Sequence, residues 1–249
     1  MALIQELSLN DSTKKDLNTY EGIAEFYDTL MTQGYYDYDE ITRDLSEIVG
    51  ARVNLMELGV GTGLVAELLL KQNPEYLITG IDNTEAMIAQ ARERLGDKIS
   101  YELQDVTKLK LQKKYEAAFS VGGCWYFIDN GDHLELCSHI DDLDTCKTSL
   151  ERVVEHLESK GVLALALQGA HSNYSKKLTD ELTYSQEIFK ENMGFTKRYS
   201  FENKDGLVAE QHYKYLVLPE DHAHDLFTDL GCEPVGLNSS RKFFTYRKR

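Results

Sequence analysis

Positive charge is scarce in this sequence. Its 249 residues carry 27 lysines and arginines against 42 aspartates and glutamates, a formal net charge of −15. Such a surface repels a phosphate backbone, which disfavours a nucleic-acid substrate. Long apolar runs are also lacking: no segment approaches the roughly 18 consecutive apolar residues of a membrane span, and no basic stretch followed by an apolar run opens the chain. We therefore expect a cytoplasmic protein that binds neither nucleic acid nor membrane.

Cysteine is sparse and dispersed, and clustered metal ligands are few. The four cysteines show no CxxC spacing, which argues against a zinc knuckle or a disulfide framework and predicts reduced thiols (Cys124, Cys137, Cys146 and Cys232). Asp141, Asp142 and Asp144 would suit a hard cation, but acidic residues are also typical of a solvated helix start. We favour the helix start, so no metal is expected.

The composition is that of an ordinary globular chain, with 42% hydrophobic and 28% charged residues. We expect a single domain of four consecutive parts. These are a helical lid (1–50), a core (51–168), an antiparallel insertion (169–218), and a last helix with two strands (219–249).

Short apolar runs alternate with helical patterns through the core. The predicted strands are Val53–Leu58, Tyr76–Ile81, Ile99–Gln104, Ala117–Val121 and Val162–Leu167, and the predicted helices are Leu64–Lys71, Thr84–Leu95 and Leu143–Leu157. Strands separated by helices imply right-handed βαβ crossovers and a parallel sheet.

The final third changes character. Phe195–Glu202 and Leu207–Leu218 are strand-like runs on either side of an Asp-Gly turn signal, which predicts an antiparallel hairpin. Pro219 then begins a helix that Gly231 ends. Two further strands, Glu233–Asn238 and Lys242–Arg247, complete the chain.

Three glycines at alternate positions follow the first strand. The segment Glu57-Leu-Gly-Val-Gly-Thr-Gly-Leu64 places Gly59, Gly61 and Gly63 between a strand and a helix. Without a Cβ, a glycine turn lets an adenosine-bearing ligand lie against bare backbone at the carboxyl end of the strand. The spacing is GxGxG, whereas a dinucleotide fingerprint is GxGxxG, which makes an NAD-dependent oxidoreductase the alternative.

This segment resembles the first motif of the class I S-adenosylmethionine (SAM) dependent methyltransferases. The resemblance covers about residues 50–170. It implies an α/β, Rossmann-like fold whose seven-stranded, mostly parallel sheet carries the helical lid and the antiparallel β insertion. It also implies SAM as cofactor, with S-adenosylhomocysteine (SAH) as product.

Two further acids occupy the positions that the resemblance singles out. Asp82 ends the second strand, where a carboxylate can accept hydrogen bonds from both ribose hydroxyls, and Asn83 follows it. Asp105, next to Val106, follows the third strand and resembles the adenine-binding turn of the family. Asp82 could instead merely cap the next helix, and Asp105 could be ordinary turn chemistry.

Three more residues are predicted to lie near the methionine end of the cofactor. Glu57 precedes the glycines, where its carboxylate would favour a sulfonium cation through Coulomb attraction. Val121 and Gly122 follow the fourth strand, whose backbone usually faces the methionine moiety in this family.

The lid resembles that of small-molecule N-methyltransferases of the aminosugar and glycine types. Tyr27 and Tyr38 match that pattern and are predicted to bind the methionine end of SAM or to face the acceptor. Tyrosines at helical spacing also serve as ordinary core residues. The antiparallel insertion resembles the aminosugar enzymes too, where it lines the pocket or makes a homodimer contact.

The segment after the fourth strand is the predicted acceptor wall, since strands of an open sheet present their carboxyl ends to ligands. Trp125 and Tyr126 could stack on the acceptor or simply pack in the core. His133 and His139 are candidate bases, although an isolated histidine often has no catalytic role.

The proline content excludes two nucleic-acid chemistries. With prolines only at 74, 219 and 234, the chain lacks both the Asn/Asp-Pro-Pro-aromatic clamp and the Pro-Cys nucleophile of DNA methyltransferases. The sequence therefore predicts methyl transfer, by in-line displacement, to an amine or hydroxyl of a small molecule, with nitrogen preferred. The alternatives are an NAD-dependent oxidoreductase and a non-catalytic SAM-binding regulator.

Overall fold

The structure is a computed structural model and describes residues 20–249. The part of the predicted lid that precedes Tyr20 lies outside the described residues. The strands of the described chain are β1 (Asn54–Leu58), β2 (Leu77–Asp82), β3 (Ser100–Leu103), β4 (Tyr115–Ser120), β5 (Trp125–Asp129), β6 (Leu134–Ser138), β7 (Leu157–Gly169), β8 (Tyr174–Lys177), β9 (Thr183–Glu191), β10 (Gly194–Asn203), β11 (Gly206–Pro219), β12 (Cys232–Leu237) and β13 (Phe243–Lys248). The helices are α1 (Ala24–Thr32), α2 (Tyr38–Val49), α3 (Leu64–Gln72), α4 (Glu85–Leu95), α5 (Leu143–Glu155) and α6 (Glu220–Asp229).

Seven strands form the core sheet in the order β3-β2-β1-β4-β7-β13-β12. The first five are parallel to one another, and β13 and β12 are antiparallel additions. The predicted fold class, a Rossmann-like α/β fold with a seven-stranded, mostly parallel sheet, is confirmed. Because β1 to β4 are parallel, their carboxyl ends meet at one edge, where an open α/β sheet binds its ligands.

Helices cover both faces of this sheet because its strands are apolar on both sides. Helices α2, α3 and α4 pack on one face through side chains such as Leu45, Leu69 and Ile88. Helices α5 and α6 pack on the other face, for example through Leu150 and Phe227. Within residues 20–249, no helix is long and apolar enough to span a membrane.

A second, antiparallel sheet extends from the core in the order β5-β6-β11-β10-β9-β8. It joins the core where β5 pairs with residues 167–169 of β7. The lid, made of a short 3-10 helix (Glu21–Ile23), α1 and the start of α2, packs on one face of this sheet. The predicted hairpin around Asn203–Gly206 is present as β10 and β11.

The β5-β6 hairpin was not predicted. Its strands are almost fully buried, so they lack the alternation of apolar and polar residues that marks a half-buried strand. The missed signal is the dipeptide Asn130-Gly131, in which Gly131 has a φ of 95°. Asn-Gly between two apolar runs is a strong local indication of a hairpin.

Candidate functional site

A cleft of about 250 Å³ lies over the carboxyl ends of β1 to β4. Its walls come from the turns after these strands, from the lid, from the segment between β6 and α5, and from β11. The lining residues are Tyr20, Tyr27, Gly59, Gly61, Ile81, Asp82, Asn83, Met87, Gln104, Asp105, Val106, Thr107, Gly122, Gly123, Cys124, His139, Ile140, Asp141, Asp142, Thr145 and Tyr213. The structure therefore brings together most of the residues predicted from the sequence.

The glycine turn forms the floor of one end of this cleft. Gly59 and Gly61 have φ values of 75° and 53°, a region that side chains with a Cβ rarely adopt. A Cβ on Gly59 would lie 2.8 Å from the Cα of Gly123, so the close approach of two backbone segments also requires glycine. Gly63 differs: it precedes α3 and packs against Leu95 of α4, outside the cleft lining.

Asp82 fixes the glycine turn and faces the cleft. Its Oδ2 accepts a hydrogen bond from the Gly61 N–H at 2.9 Å, and its Oδ1 accepts one from the Thr84 N–H at 2.9 Å. Burial raises the pKa of this carboxyl, and the backbone hydrogen bonds oppose that shift. The carboxylate also lines the cleft, where it is placed to accept hydrogen bonds from the hydroxyls of a ribose.

The turn after β3 forms the next part of the wall. Asp105 caps the short 3-10 helix Val106–Lys108 by accepting a hydrogen bond from the Thr107 N–H at 2.8 Å. It also lines the cleft, together with Val106 and the apolar side chains of Ile81 and Met87. A flat heteroaromatic ring fits apolar walls with a polar acceptor at the edge.

Glu57 lies beneath the glycine turn and is only 2% exposed. Its Oε2 has no hydrogen-bond partner among the described residues. Burial, and secondarily the charge of Asp82, raise the pKa of Glu57 well above its usual value. A buried acceptor without a partner is costly, and a cationic ligand above the turn would offset that cost. These observations fit the cofactor that the sequence resemblance implies.

Aromatic side chains form the opposite wall. Tyr20 of the lid lies with its ring 4.6 Å from that of Tyr213 and 5.5 Å from that of Tyr27, centroid to centroid. His139 lies 4.7 Å from Tyr213. Burial, with the nearby Lys197, lowers the pKa of His139 to about 3, so this imidazole is neutral at physiological pH.

A narrow inner chamber continues behind this wall. It shares Tyr20, Tyr27, Gly122 and His139 with the cleft. Its other lining residues are Met31, Tyr35, Tyr36, Tyr126, Gln168, His171, Lys197, Tyr199 and Tyr215. The predicted contact residue Tyr126 is therefore in the chamber, where its hydroxyl lies 2.9 Å from Nε2 of His171.

Gly122 lies where the cleft meets the inner chamber. A Cβ at this position would lie 2.2 Å from the Tyr36 hydroxyl and 2.9 Å from Nε2 of Gln168, which donates a hydrogen bond to that hydroxyl at 2.6 Å. The neighbouring Val121 packs in the core instead and does not line the cleft.

Besides Gly63 and Val121, three more predicted site residues lie outside the cleft. Trp125 is fully buried in the core, where its indole N–H donates to Sγ of Cys146 at 3.3 Å, so its predicted stacking on the acceptor is wrong. His133 lies in the exposed β5-β6 turn with Nδ1 2.6 Å from Oδ1 of Asp132, outside the cleft, which contradicts its role as a base. Tyr38 begins α2 and lines an outer groove. Alternate residues of a strand face opposite sides, so β5 directs Tyr126 and Trp125 apart.

The sequence reasoning missed Tyr20 and Lys197. Tyr20 precedes a short 3-10 helix and carries no periodic pattern of its own. Lys197 stands in the row Phe195, Lys197, Tyr199, Phe201, whose other members are large and aromatic and all of which are buried. A lysine within the apolar face of a predicted strand was the available signal.

The acidic segment before α5 caps that helix, as predicted. Asp142 accepts a hydrogen bond from the Thr145 N–H at 2.8 Å. Asp141 lies 3.6 Å from the ammonium of Lys214. Within the described part of the chain, no three His, Cys, Asp or Glu side chains cluster in a way that could hold a metal ion.

Comparison with known proteins agrees with this geometry. A family model described as a methyltransferase domain matches residues 55–143, the span that contains the glycine turn, Asp82, Asp105 and His139. Malonyl-(acyl-carrier protein) O-methyltransferase 1 of Ilyobacter polytropus is 27% identical over 197 residues, which cover 76% of this chain and 65% of the relative. The chain spans less than two thirds of the length of the first curated relatives that it matches.

Solved structures extend the likeness to nearly the whole chain. CalS10, an amino pentose methyltransferase from Micromonospora echinaspora solved with SAM bound, matches with a TM-score of 0.68 and 15% identity over 90% of this chain and 96% of its own. The sugar N-methyltransferase KedS8 from a Streptoalloteichus species matches with a TM-score of 0.67 and 16% identity over 100% and 99% of the two chains. At such identities the likeness shows the fold.

Proposed function

We propose that this chain is a class I SAM-dependent methyltransferase that transfers a methyl group from SAM to an amine of a small molecule, as its match to a methyltransferase domain model and its fold support. One observation carries the proposal: Asp82 and the glycine turn face the same cleft as the aromatic wall of Tyr20 and Tyr213. One side of the cleft suits an adenosine, and the other suits an acceptor.

The residues of the first side fit SAM one by one. Asp82 would accept hydrogen bonds from the two ribose hydroxyls. The turn at Asp105 and Val106 would hold the adenine between apolar side chains. Glu57 would face the positive end of the cofactor. Bound SAM supplies a methyl group on a positively charged sulfur.

The residues of the second side would align the acceptor and exclude water, which is most of what an in-line displacement demands of a protein. A neutral amine has a lone pair ready and needs no base during transfer, whereas a hydroxyl must lose its proton. His139, with a pKa lowered to about 3, is a weak base. This supports an amine over a hydroxyl, and CalS10 and KedS8 are named as amino pentose and sugar N-methyltransferases.

Methylation of an oxygen is the second candidate. It is favoured by the sequence relative from Ilyobacter polytropus, which is named as an O-methyltransferase. The two candidates are separated by the product, because the atom that carries the added methyl group can be assigned by mass spectrometry and NMR.

The first experiment tests the cofactor. Calorimetric titration of the wild type with SAM, SAH and NADH is expected to give binding of the first two alone. Asp82→Ala removes two hydrogen bonds to a charged acceptor, each contributing about 1.5–3 kcal/mol, so we expect SAM affinity to fall at least about 100-fold. The matched control is Asp180→Ala, at a fully exposed carboxylate that pairs with Lys177 on the surface.

Two outcomes would overturn this assignment: unchanged SAM affinity in a folded Asp82→Ala protein, or binding of NADH in place of SAM.

The second experiment tests catalysis. The protein and radiolabelled SAM are incubated with fractions of a small-molecule extract, and labelled products are identified by mass spectrometry. Tight SAM binding with no labelled product in any fraction would instead favour the non-catalytic regulator.

A further inference from the structure

The inner chamber contains a buried lysine without a counter-ion. Lys197 is 1% exposed, and no carboxylate among residues 20–249 forms an ion pair with it. Its Nζ lies 3.1 Å from the Tyr35 hydroxyl and 4.5 Å from the centre of the Tyr199 ring. We propose that Lys197 binds a carboxylate carried by the methyl acceptor, so that the substrates of this site are amino acids or related amine-bearing acids. This inference rests on the proposed function.

The position of Lys197 in strand β10 places its side chain on the buried face of that strand. In β10, residues 195, 197, 199 and 201 face the lid, and the other three are aromatic. A methionine or leucine would fill the same place without the cost of burying an ammonium group, which is several kcal/mol when no partner is present. A lysine at this position is explained if its partner arrives with the substrate.

The other groups around Lys197 make the chamber attractive to an anion. The nearby imidazoles of His139 and His171 are neutral, because burial and the lysine charge lower both of their pKa values to about 3. The hydroxyls of Tyr199 and Tyr215, 3.1 Å apart, stay protonated because burial raises both pKa values. Protonated hydroxyls and an ammonium together form a donor set for a carboxylate.

The position of the chamber connects this donor set to methyl transfer. Tyr20, Tyr27, Gly122 and His139 line both the chamber and the cleft. An acceptor whose carboxylate enters the chamber would therefore leave its amine on the cleft side. The chamber has a volume of only about 10 Å³, which is room for about one water molecule, so a carboxylate can enter only if the lid residues that line the chamber move apart.

Burial also makes the ammonium group of Lys197 more acidic. Desolvation lowers the pKa of its ammonium to about 7, because burial disfavours the charged form and the proton is lost more readily. A carboxylate in contact would raise that pKa again. An amine near neutrality could alternatively act as a base toward the acceptor, so the experiment must separate recognition from proton transfer.

The test compares acids with their amides on the SAH-saturated protein. Saturation-transfer NMR and calorimetry are applied to a panel of amino acids and small carboxylic acids, each paired with its primary amide. We expect at least one acid to bind ten times or more tightly than its amide. In Lys197→Met this preference should disappear, whereas Lys190→Met, which removes an exposed lysine of the neighbouring strand β9, should retain it.

The outcomes distinguish this inference from the proposed function. Equal binding of every acid and its amide, or an acid preference that survives in Lys197→Met, would overturn the role of Lys197 even if methyl transfer is observed. Absence of methyl transfer with an intact acid preference would instead remove the proposed function. A base role would lower kcat in Lys197→Met without changing acid binding, and that result also contradicts carboxylate recognition.

Discussion

The cofactor side and the acceptor side of the cleft are built in different ways. On the cofactor side, Asp82, Asp105 and the glycine turn lie at or just after the end of a strand, and hydrogen bonds from backbone N–H groups hold the two carboxylates in place. On the acceptor side, Tyr20 comes from the lid and Lys197 from the antiparallel sheet, and ring contacts and burial hold them. The first side is local in sequence, and the second depends on the assembly of distant segments.

The two sides also differ in charge. Glu57, Asp82 and Asp105 make the cofactor side acidic, which suits a cation. The inner chamber on the other side carries the buried ammonium of Lys197 and two neutral imidazoles. A molecule that spans both would place a positive group near Glu57 and a negative group near Lys197, so the cleft and the inner chamber would select opposite charges.

The largest effect expected on the acceptor side comes from this difference in charge and is measured by varying the pH. Lys197 must be protonated to bind a carboxylate, and with a pKa of about 7 its charged fraction falls from about 0.9 at pH 6 to about 0.01 at pH 9. We therefore expect acid binding to the SAH-saturated protein to weaken about 90-fold between these pH values. The titratable groups that line the chamber or lie beside Lys197 are Tyr20, Tyr27, Tyr35 and Tyr36 of the lid, Tyr126 of β5, Cys137 of β6, His139, His171, and Tyr199, Tyr213 and Tyr215 of the antiparallel sheet.

Calorimetry across this range measures the effect, with the primary amide as the control ligand. The pair used here is a small carboxylic acid without an amine and its primary amide, so that the ligand's own charge is constant. The amide should bind equally at both pH values, because it does not need the ammonium charge. The neighbouring imidazoles stay neutral throughout, and the tyrosine hydroxyls stay protonated, so Lys197 is the group whose charge changes. A flat profile for the acid would mean that another group binds it.

The same contrast explains what could be predicted from the sequence. Asp82 and the glycine turn were identified because a strand, a turn and a helix that follow one another fix the spacing of their residues. Trp125 and His133 were misplaced because their segment forms a hairpin. Strand alternation turns Trp125 into the core, and His133 lies in the exposed turn, outside the cleft. Lys197 belongs to a strand whose partners lie far along the chain, so its burial depends on pairing that local patterns do not specify.

Glu57→Gln gives the next largest effect and acts on the cofactor side. SAM and SAH differ in one methyl group and the positive charge that accompanies it, and a nearby carboxylate favours the charged ligand by about 1.5 kcal/mol. The substitution keeps the shape and removes the charge, so we expect the ratio of SAM to SAH affinity to fall about tenfold. Titration calorimetry with both ligands measures this ratio.

A second property of Glu57 provides an independent check. Its pKa is raised by burial, so in the free protein the carboxyl tends to hold its proton, and a cationic ligand favours release. SAM binding should therefore strengthen as pH rises and release a proton, which titration in buffers of different ionisation enthalpy detects. Neither behaviour is expected in Glu57→Gln, and SAH should show little of it in the wild type. Equal losses for SAM and SAH would assign Glu57 to the support of the turn alone.

The smallest effect tests the boundary between core and site at β5. Trp125 points into the core and Tyr126 into the inner chamber. Trp125→Phe should therefore lower the free energy of unfolding by about 1 kcal/mol, because it removes the hydrogen bond to Cys146 and leaves a small gap. Acceptor kcat/KM should stay within about a factor of two, since 1.4 kcal/mol corresponds to tenfold. Tyr126→Phe is the matched variant, because its hydroxyl contacts His171 beside Lys197, and it should change acceptor KM. A loss of acceptor binding in Trp125→Phe, at unchanged stability, would mean that the indole contacts the acceptor. Strand β5 would then not separate the core from the site.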